Sequence, residues 1–147
     1  MKHFNSFVSY ALVAIVSAGV SALVTSGAIT GGQAVAQPAP AATTPLLTQP
    51  LTDLPGREVR MTLLDRPPGD SSAAHRHPGH HTFGYVVEGT YEIGVDGGAV
   101  RTLKAGETFY EPPGSIHSVS RNAGSTRMKV VVFMVADSRN PSTVPAQ

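Results

Sequence analysis

The sequence predicts an all-β sandwich or barrel in the part of the chain that begins at about residue 56. Two observations favour this class: the apolar runs are short, and Gly or Pro residues separate them at close spacing. In addition, no helical period is present after residue 36. The 147 residues are enough for one modest core, so we predict a single domain.

The predicted strands follow one another between turn signals. Residues 58–63 alternate polar and apolar side chains, as in a half-buried strand, and the sequence Pro67-Pro68-Gly69 follows shortly afterwards. Asp96-Gly97-Gly98 separates two short runs and predicts a hairpin. The run MKVVVFMV at 128–135 has the composition of a buried strand. The predicted strands are 58–63, 83–88, 91–95, 100–103, 108–111, 116–120 and 128–135.

The N-terminal third differs in composition from the remainder. No Asp, Glu, Lys or Arg occurs between Lys2 and Asp53, and residues 7–24 are almost wholly apolar and small. With Ala34-Val35-Ala36 as a small-x-small cleavage site, this pattern predicts a secretory signal peptide over residues 1–36. An uncleaved membrane anchor is the alternative, because the apolar stretch approaches the length of a membrane span.

The segments that flank the predicted barrel have no hydrophobic period. Residues 37–55 are rich in Pro, Ala and Thr, which predicts a flexible linker. We place the barrel at 56–137 and a flexible C-terminal tail at 138–147. The signal segment predicts an exported protein, periplasmic or secreted, or an outward-facing membrane-anchored one if it is not cleaved.

Charge and cysteine content exclude several classes of partner and ligand. The formal net charge is +1 and no basic run occurs, so we expect no nucleic-acid binding, and membrane contact only through an uncleaved N-terminal segment. The chain has no cysteine, so nitrogen and oxygen atoms must hold any metal. The oligomeric state stays open, with a homodimer among the alternatives.

The histidines are concentrated in one place. Four of the six lie between residues 75 and 81, and His117 lies alone on a later predicted strand. On a strand, His75 and His77 would point to the same face about 6.6 Å apart, which suits two imidazoles that bind one cation. His80 and His81 follow a turn that can fold the chain back towards the same point. The cluster predicts one divalent metal ion; a set of surface histidines around a flexible turn is the alternative.

The histidine cluster resembles the first motif of the cupin superfamily. That motif is Gly, five residues, His-x-His, three or four residues, Glu, six residues and Gly. Here Gly69 is followed by five residues and His75-Arg76-His77, and Gly89 comes later. The first motif is therefore matched at its glycines and its histidine pair.

The second cupin motif is matched as well. It is Gly, five residues, Pro-x-Gly, two residues, His, three residues and Asn. The chain has Gly106, five residues, Pro112-Pro113-Gly114, two residues and His117, with Asn122 one place late. The short spacer between the motifs is similar to that of small bacterial single-domain (type 2) cupins. The resemblance covers residues 56–137 and implies a jelly-roll β-barrel with one divalent metal inside.

The chain departs from the family at the motif glutamate. A spacing of four residues places Thr82 at that position, and a spacing of three places His81 there. We predict His81 as the remaining ligand, so that the metal ligands are His75, His77, His81 and His117; an extra residue in the turn would bring His80 inward instead. Without the glutamate, the site resembles the three-histidine thiol and diketone dioxygenases.

The predicted function is an exported metal-binding cupin that is a dioxygenase-like, oxygen-dependent oxidoreductase acting on a small organic molecule. Neutral ligands would leave the metal its full charge, which attracts anionic substrates. The alternatives are a non-catalytic extracytoplasmic binding module for a metal or small ligand, and a metal-dependent isomerase or hydrolase. The metal is Fe, Mn, Ni, Cu or Zn. Glu88 and Glu111 either accept a hydrogen bond from an imidazole N–H or are ordinary strand-end residues.

Overall fold

The computed structural model describes residue 37 and residues 39–147. The predicted signal segment, 1–36, lies outside the described residues. Within the described part, no helix is long and apolar enough to cross a bilayer. That part of the chain forms ten β-strands, which are β1 (Ala42–Pro50), β2 (Arg57–Arg66), β3 (His75–Arg76), β4 (His81–Glu88), β5 (Thr90–Val95), β6 (Arg101–Lys104), β7 (Thr108–Glu111), β8 (Ile116–Asn122), β9 (Met128–Asp137) and β10 (Val144–Pro145).

The strands form two five-stranded sheets. The order is β1-β2-β9-β4-β7 in the first sheet and β10-β3-β8-β5-β6 in the second. Every neighbouring pair is antiparallel. Both sheets contribute to one core, in which Tyr91 and Ile93 of β5 pack with Phe109 of β7 and the inner face of β9. The predicted all-β jelly-roll barrel is confirmed.

Strand β9 lies at the centre of the first sheet and shows why the run MKVVVFMV is a strand. Its side chains alternate between buried and half-buried along all ten residues. Alternation with period two places every second side chain in the core. The buried residues of β9 are Met128, Val130, Val132, Met134 and Ala136.

Glycine at position 84 of β4 makes room for an aromatic ring of the core. A Cβ atom at Gly84 would overlap ring carbons Cε1 and Cζ of Phe109. Gly84→Ala is therefore expected to lower the free energy of unfolding by about 1–3 kcal/mol, because the ring must leave its packed position. Urea unfolding measures this. Gly124→Ala is the control, since its added methyl group would meet no atom closer than 3.3 Å; equal losses in both variants would contradict the explanation.

The structure corrects the prediction of a flexible linker at 37–55. Residues 42–50 form β1, which pairs with β2 from Ala42 opposite Asp65 to Pro50 opposite Glu58. All nine side chains of β1 are exposed, so no apolar alternation marks the strand in the sequence. Its backbone pairs with the edge of β2, and Pro45 is tolerated beside a register shift in this edge strand.

The predicted flexible tail, 138–147, is likewise ordered by backbone groups. Val144 in β10 pairs with Arg76 in β3. The guanidinium of Arg60 donates a hydrogen bond of 2.9 Å to the carbonyl oxygen of Asn140. Backbone carbonyl groups make these contacts whatever the side chains are, so the sequence of the tail carries no sign of them.

Candidate metal centre

Three of the predicted ligands meet inside the barrel. His75 of β3 and His117 of β8 are directly opposite each other in the antiparallel pairing, and His77 lies just after β3. Each of the three offers one nitrogen atom, and these atoms all lie within 4.8 Å of one another. His77 and His117 are buried and His75 is half-buried. Such a cluster of imidazole nitrogens can hold a divalent metal ion.

The tautomers of His75 and His77 are set by backbone carbonyl groups. Nδ1 of His75 lies 2.8 Å from the carbonyl oxygen of Ala73, and Nδ1 of His77 lies 2.7 Å from that of Ser142. A carbonyl oxygen only accepts, so each Nδ1 carries the hydrogen and donates it. The lone pair of each ring is then on Nε2, where a metal can take it.

His117 is oriented by a buried tyrosine that the sequence analysis did not single out. The hydroxyl oxygen of Tyr91 lies 3.2 Å from Nε2 of His117 and 2.9 Å from Oγ of Ser120. If the hydroxyl donates to Ser120 and accepts from Nε2–H, the lone pair of His117 is on Nδ1. Only the alternation of β5, which places Tyr91 on the same face as Ile93, signals in the sequence that this ring points inward.

The buried imidazoles are held in the neutral form. Burial, with smaller contributions from the nearby imidazoles of His75 and His77, lowers the pKa of His117 to about 3. Burial also lowers the pKa of His77. Both rings are therefore neutral at pH 7, which is the state that metal ligation requires.

Glu111 at the end of β7 lies on the wall of the same cavity. Its Oε1 is 3.3 Å from Nδ1 of His117, and its Oε2 is 3.9 Å from Nε2 of His77. The side chain is 1% exposed, and neither its Oε2 nor Nδ1 of His117 has a hydrogen-bond partner within residues 39–147. Burial raises the pKa of Glu111 to about 7, with a smaller contribution from the charge of Asp96. Glu88, the other carboxylate considered, pairs instead with Lys129 at the surface.

The structure corrects the prediction that His81 is a ligand. In β4 the side chain of Thr82 is buried, so that of its neighbour His81 points to the other face of the sheet. There Nδ1 of His81 lies 2.8 Å from the hydroxyl oxygen of Tyr110, and the two rings stack with centroids 6.1 Å apart. Because the side-chain period of a strand is two, a choice between positions 81 and 82 decides which face is reached.

His80 is buried but has a structural role. Its Nδ1 accepts a hydrogen bond of 3.0 Å from the backbone N–H of Asp137, and its Nε2 lies 2.8 Å from the carbonyl oxygen of Pro141. Both ring nitrogens are thus used to join the turn after His77 to the C-terminal segment. His80 has no free lone pair for a metal.

Deleting residues 141–147 is expected to weaken metal binding roughly 10-fold, because His77 loses the carbonyl group that orients its ring. The deletion also removes the carbonyl group of Pro141, which holds His80 in the turn after His77. Titration of the metal-free protein with Mn²⁺ measures the change. Ser142→Ala is the matched control, since it removes only the hydroxyl contact with Arg60 and keeps the carbonyl oxygen. Unchanged affinity in the truncated chain would contradict this role of the tail.

The histidine cluster opens into a cavity of about 310 Å³. Its wall combines the metal-binding side chains with apolar ones from β2, β7 and β9, among them Leu64, Phe109 and Val132. Among the described residues, Arg66 is the only Lys or Arg that lines it. A wider groove of about 540 Å³ lies elsewhere, beside Phe83 and Tyr110, but no His, Asp or Glu of the part of the chain that the structure describes lines it. The smaller cavity is therefore the candidate site.

Comparison with known proteins agrees with the fold and the site. Residues 62–134 match the family described as Cupin domain. The chain belongs to the cupin superfamily. Within this cupin the matched region begins in β2 and ends in β9, so it includes all three clustered histidines.

The similar curated proteins are plant cupins. The chain is 34% identical over 93 residues to oxalate oxidase GF-3.8 of Triticum aestivum, a match that covers 58% of this chain and 40% of the relative. It is 32% identical over 93 residues to germin-like protein 3-3 of Oryza sativa subsp. japonica, with 58% and 40% covered. The matched region thus spans less than half the length of these relatives.

Solved structures are similar over a larger share of the cupin. A recombinant oxalate oxidase in complex with glycolate matches with a TM-score of 0.57 and 29% identity, over 75% of this chain and 57% of that one. A protein from Klebsiella pneumoniae with a double-stranded β-helix domain matches with a TM-score of 0.60 and 22% identity, over 76% and 88%. The second likeness shows the fold alone.

Proposed function

We propose that this cupin is a metal-dependent oxidoreductase that uses molecular oxygen to oxidise a small carboxylate, with oxalate as the first candidate. The observation that carries the proposal is the cluster of His75, His77 and His117 at the wall of a small, largely apolar cavity. The similarity to oxalate oxidases supports the choice of substrate class. A redox-active divalent metal held there would supply the path for electrons from substrate to oxygen.

The cavity has the size for a small anion, and one cationic side chain, Arg66, lies on its wall. Its volume of about 310 Å³ is at the lower end of ordinary ligand pockets. Arg66 is half-buried; one of its Nη atoms donates to Asp70 and the other to Ser72, while Nε is buried and has no partner. The guanidinium charge attracts a carboxylate to this side of the cavity. Apolar walls from Phe109 and Val132 limit the entry of competing water.

The proposed reaction is the two-electron oxidation of oxalate. The carbon–carbon bond breaks and each half leaves as CO₂, while oxygen takes the two electrons and two protons and becomes H₂O₂. Oxygen is then the electron acceptor and is not inserted into the substrate. This is the chemistry of an oxidase. It differs from the dioxygenase-like reaction expected from the sequence, because a dioxygenase inserts both oxygen atoms into its substrate.

Oxygen uptake by metal-loaded protein tests the proposal. Metal-free chain is loaded separately with Mn²⁺, Fe²⁺, Ni²⁺, Cu²⁺ and Zn²⁺ and screened with oxalate, glycolate, small thiols and diketones. We expect oxalate-dependent uptake with equimolar H₂O₂ in the Mn²⁺ or Fe²⁺ form. Oxamide, which is neutral and similar in shape to oxalate, should give none.

Two variants serve as matched controls for the uptake assay. His77→Ala should lose activity with its metal, and His81→Ala, on the opposite face of the sheet, should keep it. No substrate-dependent uptake with any metal, combined with tight binding of one of the compounds, would reject the oxidase in favour of a binding module.

We also propose that the cupin is exported, since Ala34-Val35-Ala36 precedes Gln37 after an apolar stretch. The mature protein should begin at or near Gln37. N-terminal sequencing of the protein from the extracytoplasmic fraction checks this. A protein that keeps Met1 and fractionates with membranes would mean that the segment is an anchor.

A further inference from the structure

The position of the missing motif glutamate has a direct neighbour on the next strand. Thr82, which occupies that position, is buried, and its Oγ1 has no hydrogen-bond partner in the described part of the chain. In the antiparallel pairing of β4 with β7, the residue opposite Thr82 is Glu111. Residues directly opposite each other project from the same face, with Cβ atoms about 4.5–5.5 Å apart. Glu111 therefore brings a carboxylate to the cavity wall that a glutamate at position 82 would reach.

The carboxylate of Glu111 has no compensating cation among the described residues. Its ion-pair distances of 3.3 and 3.9 Å are to the imidazoles of His117 and His77, and no Lys or Arg among the described residues forms an ion pair with it. A buried carboxylate in such surroundings is costly unless a proton or a cation satisfies it. The side chain thus lacks a structural partner that would explain its position.

The unpaired atoms of this region face one another. Nδ1 of His117 and Oε2 of Glu111 have no hydrogen-bond partner, and Oε1 of Glu111 lies 3.3 Å from that Nδ1. When Nε2–H of His117 donates to the hydroxyl of Tyr91, the Nδ1 lone pair is directed towards the carboxylate. Two acceptor atoms this close to each other are satisfied when they share a cation.

We propose that Glu111 binds the metal together with the three histidines and so supplies from β7 the carboxylate that the family motif carries on β4. The proposal rests on the proposed function, since it requires a metal at His75, His77 and His117. One carboxylate and three neutral imidazoles leave a divalent metal with one positive charge, which still attracts an anionic substrate. The oxygen donor shifts the site's preference towards Mn²⁺ and Fe²⁺.

Moving the carboxylate between the two opposite positions tests the assignment. The variants are Glu111→Gln and the double exchange Thr82→Glu with Glu111→Thr, and the full chain is used in the metal-free state. Two quantities are measured: the dissociation constant for Mn²⁺ by titration, and the visible absorption spectrum of the Co²⁺ form. Glu88→Gln, which changes a surface carboxylate paired with Lys129, is the control.

We expect Glu111→Gln to weaken Mn²⁺ binding by more than the roughly 10- to 100-fold typical of residues that only orient ligands, and to change the Co²⁺ spectrum, because one charged ligand is lost. The double exchange should restore the affinity to within about threefold of the original chain, since the two positions are opposite each other. Glu88→Gln should leave both measurements unchanged. Circular dichroism confirms that each variant is folded before it is titrated.

An unchanged Mn²⁺ dissociation constant and Co²⁺ spectrum in Glu111→Gln would overturn the assignment, even if oxygen uptake is observed. Weak Mn²⁺ binding by both Glu111→Gln and the double exchange, with both folded, would support Glu111 as a ligand. It would also show that a carboxylate at position 82 cannot replace the one at position 111. Binding that depends on Glu111 without any substrate-dependent oxygen uptake would overturn the proposed function alone. A chain that binds no metal would overturn both.

Discussion

Replacing His77 or His117 with alanine is expected to empty the metal site, so that the content falls from one divalent ion per chain to near zero. Each substitution deletes one of three nitrogen atoms that lie within 4.8 Å of one another. Loss of a direct ligand should weaken binding by more than the roughly 10- to 100-fold typical of residues that only orient ligands. Elemental analysis after dialysis, together with a Mn²⁺ titration, measures both quantities.

His81→Ala is the matched control for these substitutions. It removes an imidazole from the same short segment, but one that contacts Tyr110 on the outer face of β4. We therefore expect a normal metal content in this variant. A stoichiometry of one in His77→Ala or His117→Ala, or loss of metal in His81→Ala alone, would mean that the metal lies elsewhere.

Glu111→Gln is expected to stabilise the metal-free protein at alkaline pH. Burial raises the pKa of Glu111 from an ordinary 4.5 to about 7. Between these values the native state holds a proton that the unfolded state has released, so the free energy of unfolding falls as pH rises. The difference between these two pKa values lowers the free energy of unfolding by about 3 kcal/mol once pH exceeds 7. Glutamine has no charge to desolvate, so the variant should be more stable than the original chain at pH 8 by about that amount.

Comparing the two proteins at two pH values separates the contribution of Glu111 to the free energy of unfolding from that of the histidines. The pKa of His117, lowered to about 3, makes stability rise with pH between about 3 and 6.5. This contribution occurs in both proteins and cancels in their difference. Urea unfolding with a chelator at pH 4 and pH 8 should show nearly equal stability at pH 4 and a clear gap at pH 8. A variant that is less stable than the original chain at pH 8 would contradict the raised pKa.

The strands and the histidine triad could be predicted because their signals are local. Alternation identified β2, a continuous apolar run identified β9, and the Asp96-Gly97-Gly98 hairpin joins β5 to β6 as expected. The turn residues Gly69 and Gly106 have φ angles of 77° and 92°, the left-handed conformation that glycine adopts without strain. The spacing of His75 and His77 placed both side chains on one face of a strand. The resemblance to the second cupin motif placed His117 in the same site.

The remaining parts of the site depend on contacts between distant segments. His81 was assigned one position away from the inward residue, because a turn of unknown length precedes β4. Glu111 lies 29 positions after Thr82 in sequence, and only the pairing of β4 with β7 makes them neighbours. The tail reaches His77 through the carbonyl oxygen of Ser142, a group that every residue has.

The sequence by itself therefore determined the all-β class, the cupin motifs and three histidines that meet in one place. These properties follow from periodicity and spacing within short segments, which local backbone geometry translates directly into structure. Only the tertiary structure decided that β1 and the tail are ordered parts of the barrel, that Thr82 rather than His81 points into the barrel interior, and that Glu111 lies beside the histidines. Those facts depend on strand register and on backbone hydrogen bonds between remote segments, and neither leaves a periodic pattern in the sequence.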